Sequence, residues 1–302
     1  NTFLLIIKGM DFRICTFFFY LYLMTEKQTE QYLYMQLIEE DCYIDTKEKI
    51  DYPPVALSYG EQLIKSRFGD KLLPIPICSY GNIISLAAPP KTKKSFFISL
   101  LASVFLSGSN MYGGQLKGHR GNGNCVHIDT EQSRWHSQNC FSRPFAMDYK
   151  TDASKYNTFA LRTIPHKDRM NFLEYYLSKL NEPSLVCLDG VADLVNDVND
   201  LIGCNACVQK LMELSEKYKC AIICVIHNNF GTSKMTGHLG SALAKKSETI
   251  IELEQNTVNK DWVTVHCKQS RNYAFDTFSF EVNDYGLPVV VDDLYDPLKN
   301  NG

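Results

Sequence analysis

Short apolar runs alternate with longer segments of helical periodicity along the middle of the chain. Such runs, bounded by polar residues, are typical of buried parallel strands. They predict strands at residues 83–87, 125–129, 156–164, 185–188 and 221–226. Helices are predicted at residues 96–106, 132–140, 165–180, 201–219 and 239–246, and further β segments at 248–254, 262–268, 277–282 and 288–291. We therefore expect an α/β fold, with a mostly parallel sheet flanked by helices and antiparallel strands added at the C-terminal end.

The segments before and inside this alternation are polar or rich in glycine. Residues 24–50 are rich in Glu, Gln, Tyr and Lys, and they predict a polar amphipathic helix. Residues 52–76 predict an irregular lead-in, with a short helix at 61–68. The glycine-rich residues 108–124 predict a flexible surface loop.

The first residues of the chain are apolar and aromatic, with scattered charges. The uncharged run 14–25 is too short to span a bilayer, so no membrane association is expected. We interpret residues 1–23 as a segment that is not native, with the true start at Met24; a membrane-associated or signal segment is the alternative. We expect an N-terminal extension over residues 1–50 and one domain over residues 51–302.

The composition is that of an ordinary soluble globular protein, with 302 residues, 45% hydrophobic and 22% charged residues. A net charge of −3 does not indicate a broad basic surface for nucleic acid. Many of the 11 cysteines lie in apolar runs, which favours reduced thiols and a cytoplasmic protein. A zinc site at Cys204, Cys207, Cys220 and Cys224 is disfavoured because the last two lie in a predicted buried strand.

Residues 88–95 join the first predicted strand to its helix. The loop resembles the phosphate-binding pattern G-x-x-x-x-G-K-[ST]: Lys94 and Ser95 match, while Ala88 and Lys93 replace the glycines. Lys94 would pair with the β- and γ-phosphates and Ser95 would bind Mg²⁺. The alternative is a basic turn before a core helix. The predicted nucleotide contacts are Ala88, Pro89, Pro90, Lys91, Thr92, Lys93, Lys94, Ser95 and Phe96.

Polar residues also follow three other predicted strands, and the carboxyl ends of parallel strands are where ligands bind. Asp189 would hold the shell of the Mg²⁺ ion through water. Glu131 would orient the attacking water, and His227 would contact the γ-phosphate. The alternatives are an Asp that caps a turn, a Glu favoured by a helix dipole and a His bonded to its own loop.

Several segments around these residues form a recognisable series. They are Lys94-Ser95-Phe96-Phe97, Asp129-Thr130-Glu131-Gln132-Ser133, Leu188-Asp189-Gly190 with Asp193-Leu194, Val225-Ile226-His227-Asn228-Asn229 and Gly237-His238-Leu239-Gly240-Ser241. From about residue 81 to residue 288 the chain resembles the RecA-like P-loop ATPases. The branch it resembles contains the RepA-type hexameric helicases and the AAA-family ATPases of bacterial mobile elements.

The resemblance implies a Mg²⁺-dependent ATPase with a RecA-like core. It also implies a homo-oligomer, such as a hexameric ring, in which Lys268 and Arg271 reach the γ-phosphate of the neighbouring subunit. Lys234, in the loop over 228–236, would face single-stranded DNA. Helicase activity, a role in replication or mobilisation and contacts with proteins of those processes would follow. Two alternatives stay open: an ATP-binding regulatory module with little turnover, and a recombinase-like filament ATPase.

Overall fold

The computed structural model describes residues 24–65, 69–108, 114–148, 151–182, 184–229 and 232–291. The chain divides into two compact units at the junction of Tyr52 and Pro53. One helix, α1 (Glu26–Cys42), is described in the first unit. The predicted non-native segment over residues 1–23 lies outside the described residues.

α1 begins at a capping box and confirms the predicted helix, but not its amphipathic character. The Thr25 hydroxyl accepts a bond from the Gln28 N–H, and the Gln28 side chain accepts one from the Thr25 N–H. No side chain of α1 is buried. Its large apolar residues follow one another along the chain and therefore surround the helix, without forming one face. These exposed residues are Tyr32, Leu33, Tyr34, Met35, Leu37 and Ile38.

The second unit contains the remaining described elements. Its strands are β1 (Val55–Ile64), β2 (Lys71–Ser79), β3 (Ile83–Ala88), β4 (Leu116–Gly118), β5 (Cys125–Asp129), β6 (Tyr156–Ala160), β7 (Leu185–Asp189), β8 (Ala221–His227), β9 (Thr249–Gln255), β10 (Trp262–Ser270), β11 (Phe278–Val282) and β12 (Pro288–Val291). Its helices are α2 (Lys94–Ser107), α3 (Arg134–Met147), α4 (His166–Leu177), α5 (Leu201–Lys217) and α6 (Gly237–Lys246).

A nine-stranded sheet organises this unit, in the order β12-β11-β10-β9-β3-β8-β7-β5-β6. The strands from β9 to β6 run parallel to their neighbours. The strands β10, β11 and β12 continue the sheet in antiparallel pairs. The predicted α/β class is confirmed: the apolar runs form the parallel strands, and the β-rich end forms the antiparallel extension.

A second sheet, in the order β2-β1-β4, corrects two predictions. The predicted irregular lead-in and its helix at 61–68 are wrong where described, because β1 and β2 form an antiparallel pair there. Pro74 and Pro76 suggest a break, but β2 is an edge strand and tolerates residues that cannot donate. The glycine-rich loop also contains β4, which pairs with β1.

Helix α2 fills the space on one face of the large sheet, and nearly all its side chains are buried. Phe97 stacks on Phe280 of β11, with ring centroids 5.5 Å apart. Gly118 of β4 approaches the other end of α2, where a Cβ would lie 2.2 Å from the Val104 carbonyl oxygen. A separate apolar cluster on the opposite face includes Leu173 of α4, Leu211 of α5 and Leu243 of α6.

Within the described ranges, no helix combines the length and apolar character needed to cross a bilayer.

Candidate functional site

The predicted site residues lie at one edge of the large sheet. Parallel neighbours β3 and β8 end in register at Ala88 and His227. Parallel neighbours β5 and β7 end in register at Asp129 and Asp189. Because adjacent parallel strands end on the same side, these positions form a continuous polar edge.

The loop between β3 and α2 accommodates side chains where the phosphate-binding pattern has glycine. Lys91 and Lys93 both have left-handed backbones, with φ of 66° and 55°. The Lys93 ammonium donates to the Asp261 carbonyl oxygen at 2.9 Å, so this side chain is anchored beyond the loop. The Thr92 hydroxyl donates to the Pro89 carbonyl oxygen at 2.9 Å and closes the loop. A loop without the second glycine is thus compatible with this turn, at the cost of local strain.

Lys94 lies at the centre of the edge and is only 9% exposed. Its Nζ is 3.0 Å from His227 Nδ1 and 3.4 Å from the Pro89 carbonyl oxygen. Burial lowers the pKa of Lys94, while the charges of Asp189 and Glu131 oppose that change. The ammonium is therefore held inside the site by neutral acceptors and two carboxylates.

His227 joins Lys94 to Glu131. Its Nε2 is 3.6 Å from Glu131 Oε1, while its Nδ1 faces Lys94. An ammonium has no acceptor, so Nδ1 accepts the hydrogen bond from Lys94 and Nε2 carries the hydrogen of a neutral ring. The interaction with His227 lowers the pKa of Glu131, although partial burial acts in the other direction. Glu131 is thus a carboxylate at neutral pH.

Ser95 and Asp189 form the second half of the site. The Ser95 hydroxyl donates to Asp189 Oδ2 at 2.6 Å. Burial raises the pKa of Asp189 to about 6, and the Asp129 and Glu131 charges act in the same direction, against the Ser95 bond. A carboxylate in this position lacks a full charge partner, which is the condition that favours binding a cation.

Three neighbours of these residues were not assigned roles from the sequence. Asp129 accepts bonds from the N–H groups of Glu131 and Gln132, at 3.0 and 2.9 Å, and so fixes the turn that carries Glu131. The Gln132 amide is 3.4 Å from the Ser95 hydroxyl. Gly190 has φ of 104°, and a Cβ there would lie 2.2 Å from the Thr130 hydroxyl oxygen. An acid as the last residue of a strand was the available signal for Asp129; nothing in the sequence pairs Gln132 with Ser95.

The remaining predicted residues lie outside this cluster of bonds. Lys268 Nζ is bound to the Glu252 carboxylate, at 2.9 and 3.0 Å. Arg271 donates to the Lys246 carbonyl oxygen at 2.8 Å. Lys234 is exposed, and Phe96 lies under the Arg143 guanidinium, 3.7 Å from the ring centroid. In the described part of the chain, no hydrogen bond or ion pair links Lys268 or Arg271 to the Lys94 cluster.

The donor set fits a magnesium ion that arrives with phosphate. A hydroxyl and a carboxylate are ligands of the oxygen type that Mg²⁺ requires. Among the described residues, no group of three or more His, Cys, Asp or Glu could hold a metal ion alone. Mg²⁺ keeps several waters and is commonly bound by one or two protein ligands together with substrate phosphates. Ser95 and Asp189 are therefore enough protein ligands for such an ion. At the start of α2 the Phe96 and Phe97 N–H groups donate to the Lys93 carbonyl oxygen, and the N–H groups that precede them suit a phosphate.

A parallel sheet, a Lys-Ser pair where a strand-to-helix loop ends and three polar strand ends are the layout of a RecA-like P-loop ATPase. Comparisons with known proteins agree with this class. The model of the AAA domain family matches residues 70–232, more than half of the chain, and the chain belongs to that family. A solved structure of another protein's ATPase domain has the same fold, with a TM-score of 0.51 and 12% identity, over 70% of this chain and 85% of that one. No curated protein sequence matches the chain.

Proposed function

We propose that this protein binds ATP with Mg²⁺ and hydrolyses it at the edge formed by β3, β5, β7 and β8. The observation that carries the proposal is the convergence of Lys94, Ser95, Glu131, Asp189 and His227 from separate elements of the sheet edge. A cation, a hydroxyl beside a carboxylate, a second carboxylate and an imidazole are the groups that phosphoryl transfer to water requires.

The contacts of Lys94 support a role in phosphate binding. Its present acceptors, His227 Nδ1 and the Pro89 carbonyl oxygen, are neutral. Phosphate oxygens are stronger acceptors for an ammonium, so a bound triphosphate would draw Lys94 away from His227. His227 would then be free to contact the γ-phosphate, and its contact with Glu131 would change at the same time.

Glu131 is the candidate for orienting water. Its lowered pKa keeps it ionised, which a residue that takes a proton from the attacking water requires. Asp129 holds its backbone through the bonds described above, which limits its movement. Ser95 and Asp189 would hold Mg²⁺, whose positive charge balances the phosphates.

The wider proposal is a helicase-type ATPase of DNA replication or mobilisation, acting in the cytoplasm. The fold and family support the ATPase class, and the exposed Lys234 next to β8 supports a contact with single-stranded DNA. A homo-oligomer would bring Lys268 or Arg271 of one copy towards the nucleotide of the next. Proteins of the same DNA processes would be its further partners.

Phosphate release is the direct test. Purified protein, with Mg²⁺ and ATP, is assayed with and without single-stranded DNA, and its mass is measured with and without nucleotide. We expect Mg²⁺-dependent release, stimulation by DNA and a larger species with nucleotide. Absence of release under every condition would contradict hydrolysis; release without any DNA effect would contradict the DNA coupling alone.

A second candidate function is ATP binding with little turnover. The strained, non-glycine backbone at Lys91 and Lys93 favours it, because a loop that must bear two side chains has fewer ways to adjust around a triphosphate. Tight nucleotide binding without phosphate release would support this candidate.

A further inference from the structure

Glu252 is a buried carboxylate of β9 that none of the roles above uses. Its side chain is 9% exposed, and it lies in register with Ala87 of β3, just before the phosphate-binding loop. A buried carboxylate costs free energy unless it is paired and hydrogen-bonded. The groups that bond to Glu252 therefore identify the segments of the chain that this carboxylate holds together.

Two donors converge on Glu252 from different elements. The Asn228 side-chain amide donates to Oε1 at 3.1 Å, and Lys268 Nζ lies 3.0 Å from Oε1 and 2.9 Å from Oε2. Asn228 follows His227 directly and is itself buried, while Lys268 belongs to β10. Glu252 thus joins the end of the His227 strand to the antiparallel extension.

Lys268 carries the connection on to the segment after β8. Its Nζ also donates to the Ser233 carbonyl oxygen at 2.7 Å. The same segment returns to the strand end at Thr236, whose N–H and hydroxyl both donate to the His227 carbonyl oxygen, at 3.0 and 2.9 Å. Residues 232–236 are consequently held to both Glu252 and His227.

The cluster also borders the phosphate-binding loop. A cavity of about 430 Å³ separates them, lined by Pro89 and Pro90 on one side and by Asn228, Ser233 and Glu252 on the other. The Asn228 N–H donates to the Ala88 carbonyl oxygen at 3.1 Å, at the point where the loop begins. A displacement of Asn228 would therefore move His227 relative to Lys94.

We propose that Glu252 is a positioning residue. Through Asn228 and Lys268 it ties His227 to residues 232–236, so that this segment and the imidazole move together. The inference rests on the proposed hydrolysis for its effect on turnover, but the tie itself is a property of the nucleotide-free protein. Its consequence is that a ligand of the exposed segment containing Lys234 changes the position of His227.

Hydrogen exchange of the backbone amides tests this tie in the nucleotide-free protein and needs no activity measurement. Glu252→Gln keeps an acceptor for Asn228 and removes the charge that holds Lys268. We expect the amides of residues 228, 229 and 232–236 to exchange about tenfold faster, because a hydrogen bond to a charged group contributes at least that factor to an equilibrium constant. Glu254→Gln is the matched control, since Glu254 borders the same cavity but its side chain is 55% exposed and, among the described residues, forms an ion pair with His266 alone.

Steady-state phosphate release tests the positioning role. For Glu252→Gln we expect kcat to fall about tenfold, with KM for ATP within about twofold, because the phosphate-binding residues are not touched. Asn228→Ala, which removes the other bond of Glu252, should give the same kcat loss, and the double variant no further loss, if both act through one connection. A role in stability alone would lower the melting temperature without changing kcat of the folded protein.

The outcomes separate this inference from the proposed function. Unchanged exchange at residues 228, 229 and 232–236 in Glu252→Gln overturns the tie, and unchanged kcat with faster exchange overturns the positioning role. Wild-type protein that releases no phosphate contradicts the proposed hydrolysis, and the exchange result then decides the tie alone. Faster exchange and a lower kcat in Glu252→Gln, with Glu254→Gln like the wild type, support the inference.

Discussion

The polar edge of the large sheet and the small β2-β1-β4 sheet are built on opposite principles, although α2 contacts both. At the edge, Lys94 and Asp189 are buried with charges or hydroxyl groups, and burial acts against the charged form of each. In the small sheet, Leu57 and Tyr59 are buried among apolar side chains, and Tyr59 stacks on Phe278 at 4.1 Å. The first region holds charges ready for a ligand, and the second supplies stability.

This difference predicts which substitutions affect turnover and which affect stability. Changes at the polar edge should remove turnover and leave the fold intact or more stable. Changes in the small sheet should lower stability and leave turnover per folded molecule unchanged.

Lys94→Ala should have the largest effect on activity. Loss of the only buried ammonium among the described edge residues removes the charge that meets the phosphates, and we expect kcat/KM to fall about 10²–10³-fold. Lys71→Ala is the control, because Lys71 is exposed in β2 and has no role in the proposed site. Phosphate release measures both, and equal rates for Lys94→Ala and the control would contradict the division.

Leu57→Ala should have the largest effect on stability. Leu57 is fully buried between the sheets, so we expect the free energy of unfolding to fall by about 2–5 kcal/mol. Leu63→Ala, in the same strand but 51% exposed, should change it by less than about 0.5 kcal/mol. Urea unfolding measures both variants. A loss of kcat in folded Leu57→Ala would show that the small sheet also shapes the site.

Asp189→Asn should stabilise the metal-free protein while it lowers turnover. The pKa of Asp189 is raised to about 6 in the folded protein, against about 3.9 in an unfolded chain. Below about pH 4 the Asp189 carboxyl is neutral in both the folded and the unfolded protein, and its contribution to the free energy of unfolding is fully present. As the pH rises through about 6 this contribution is lost, because the unfolded chain gives up the proton more easily than the folded protein does. The variant escapes this loss, so its advantage should reach about 3 kcal/mol at about pH 8 and vanish near about pH 4. Melting curves with EDTA at several pH values measure it, and a pH-independent difference would contradict the assignment.

Substitutions of Lys93 have the smallest expected effect, and they test the left-handed backbone conformation of the loop directly. At φ of 55° a glycine is free of the Cβ strain that Lys and Ala both bear. Lys93→Gly should therefore be more stable than Lys93→Ala by about 1 kcal/mol, the reverse of the usual order for these residues within helices. Thermal unfolding compares the two, and a more stable Ala variant would contradict the left-handed conformation.

The sequence was informative where one structural rule sufficed. Apolar runs in the parallel strands predicted both the central sheet and the common edge of Lys94, Asp189 and His227, because parallel strand ends must meet. It was uninformative where a partner distant in sequence decides the structure. The β2 strand looks broken by Pro74 and Pro76 until its edge position is known, and β4 forms only because β1 is present to pair with it.

The site shows the same limit. Residue types and strand ends predicted the cluster, but not the bonds that organise it. The sequence predicts Ser95 and Asp189 at one magnesium site, but not the direct bond between them, the position of Gln132 beside Ser95 or the pairing of Glu252 with Lys268. For Lys268 and Arg271, the reach towards a neighbouring subunit stays a prediction; within one chain, each is bonded to another element.

The most direct test of the account is Glu131→Gln, assayed for nucleotide binding and for hydrolysis in the same preparation. The amide keeps the shape of Glu131 but cannot act as a carboxylate towards water. We expect ATP affinity within about threefold of the wild type and phosphate release reduced about 10²-fold or more. Glu61→Gln, which alters only an exposed ion pair with Lys117 in the small sheet, should change neither. Hydrolysis by Glu131→Gln at the wild-type rate would contradict the proposed site.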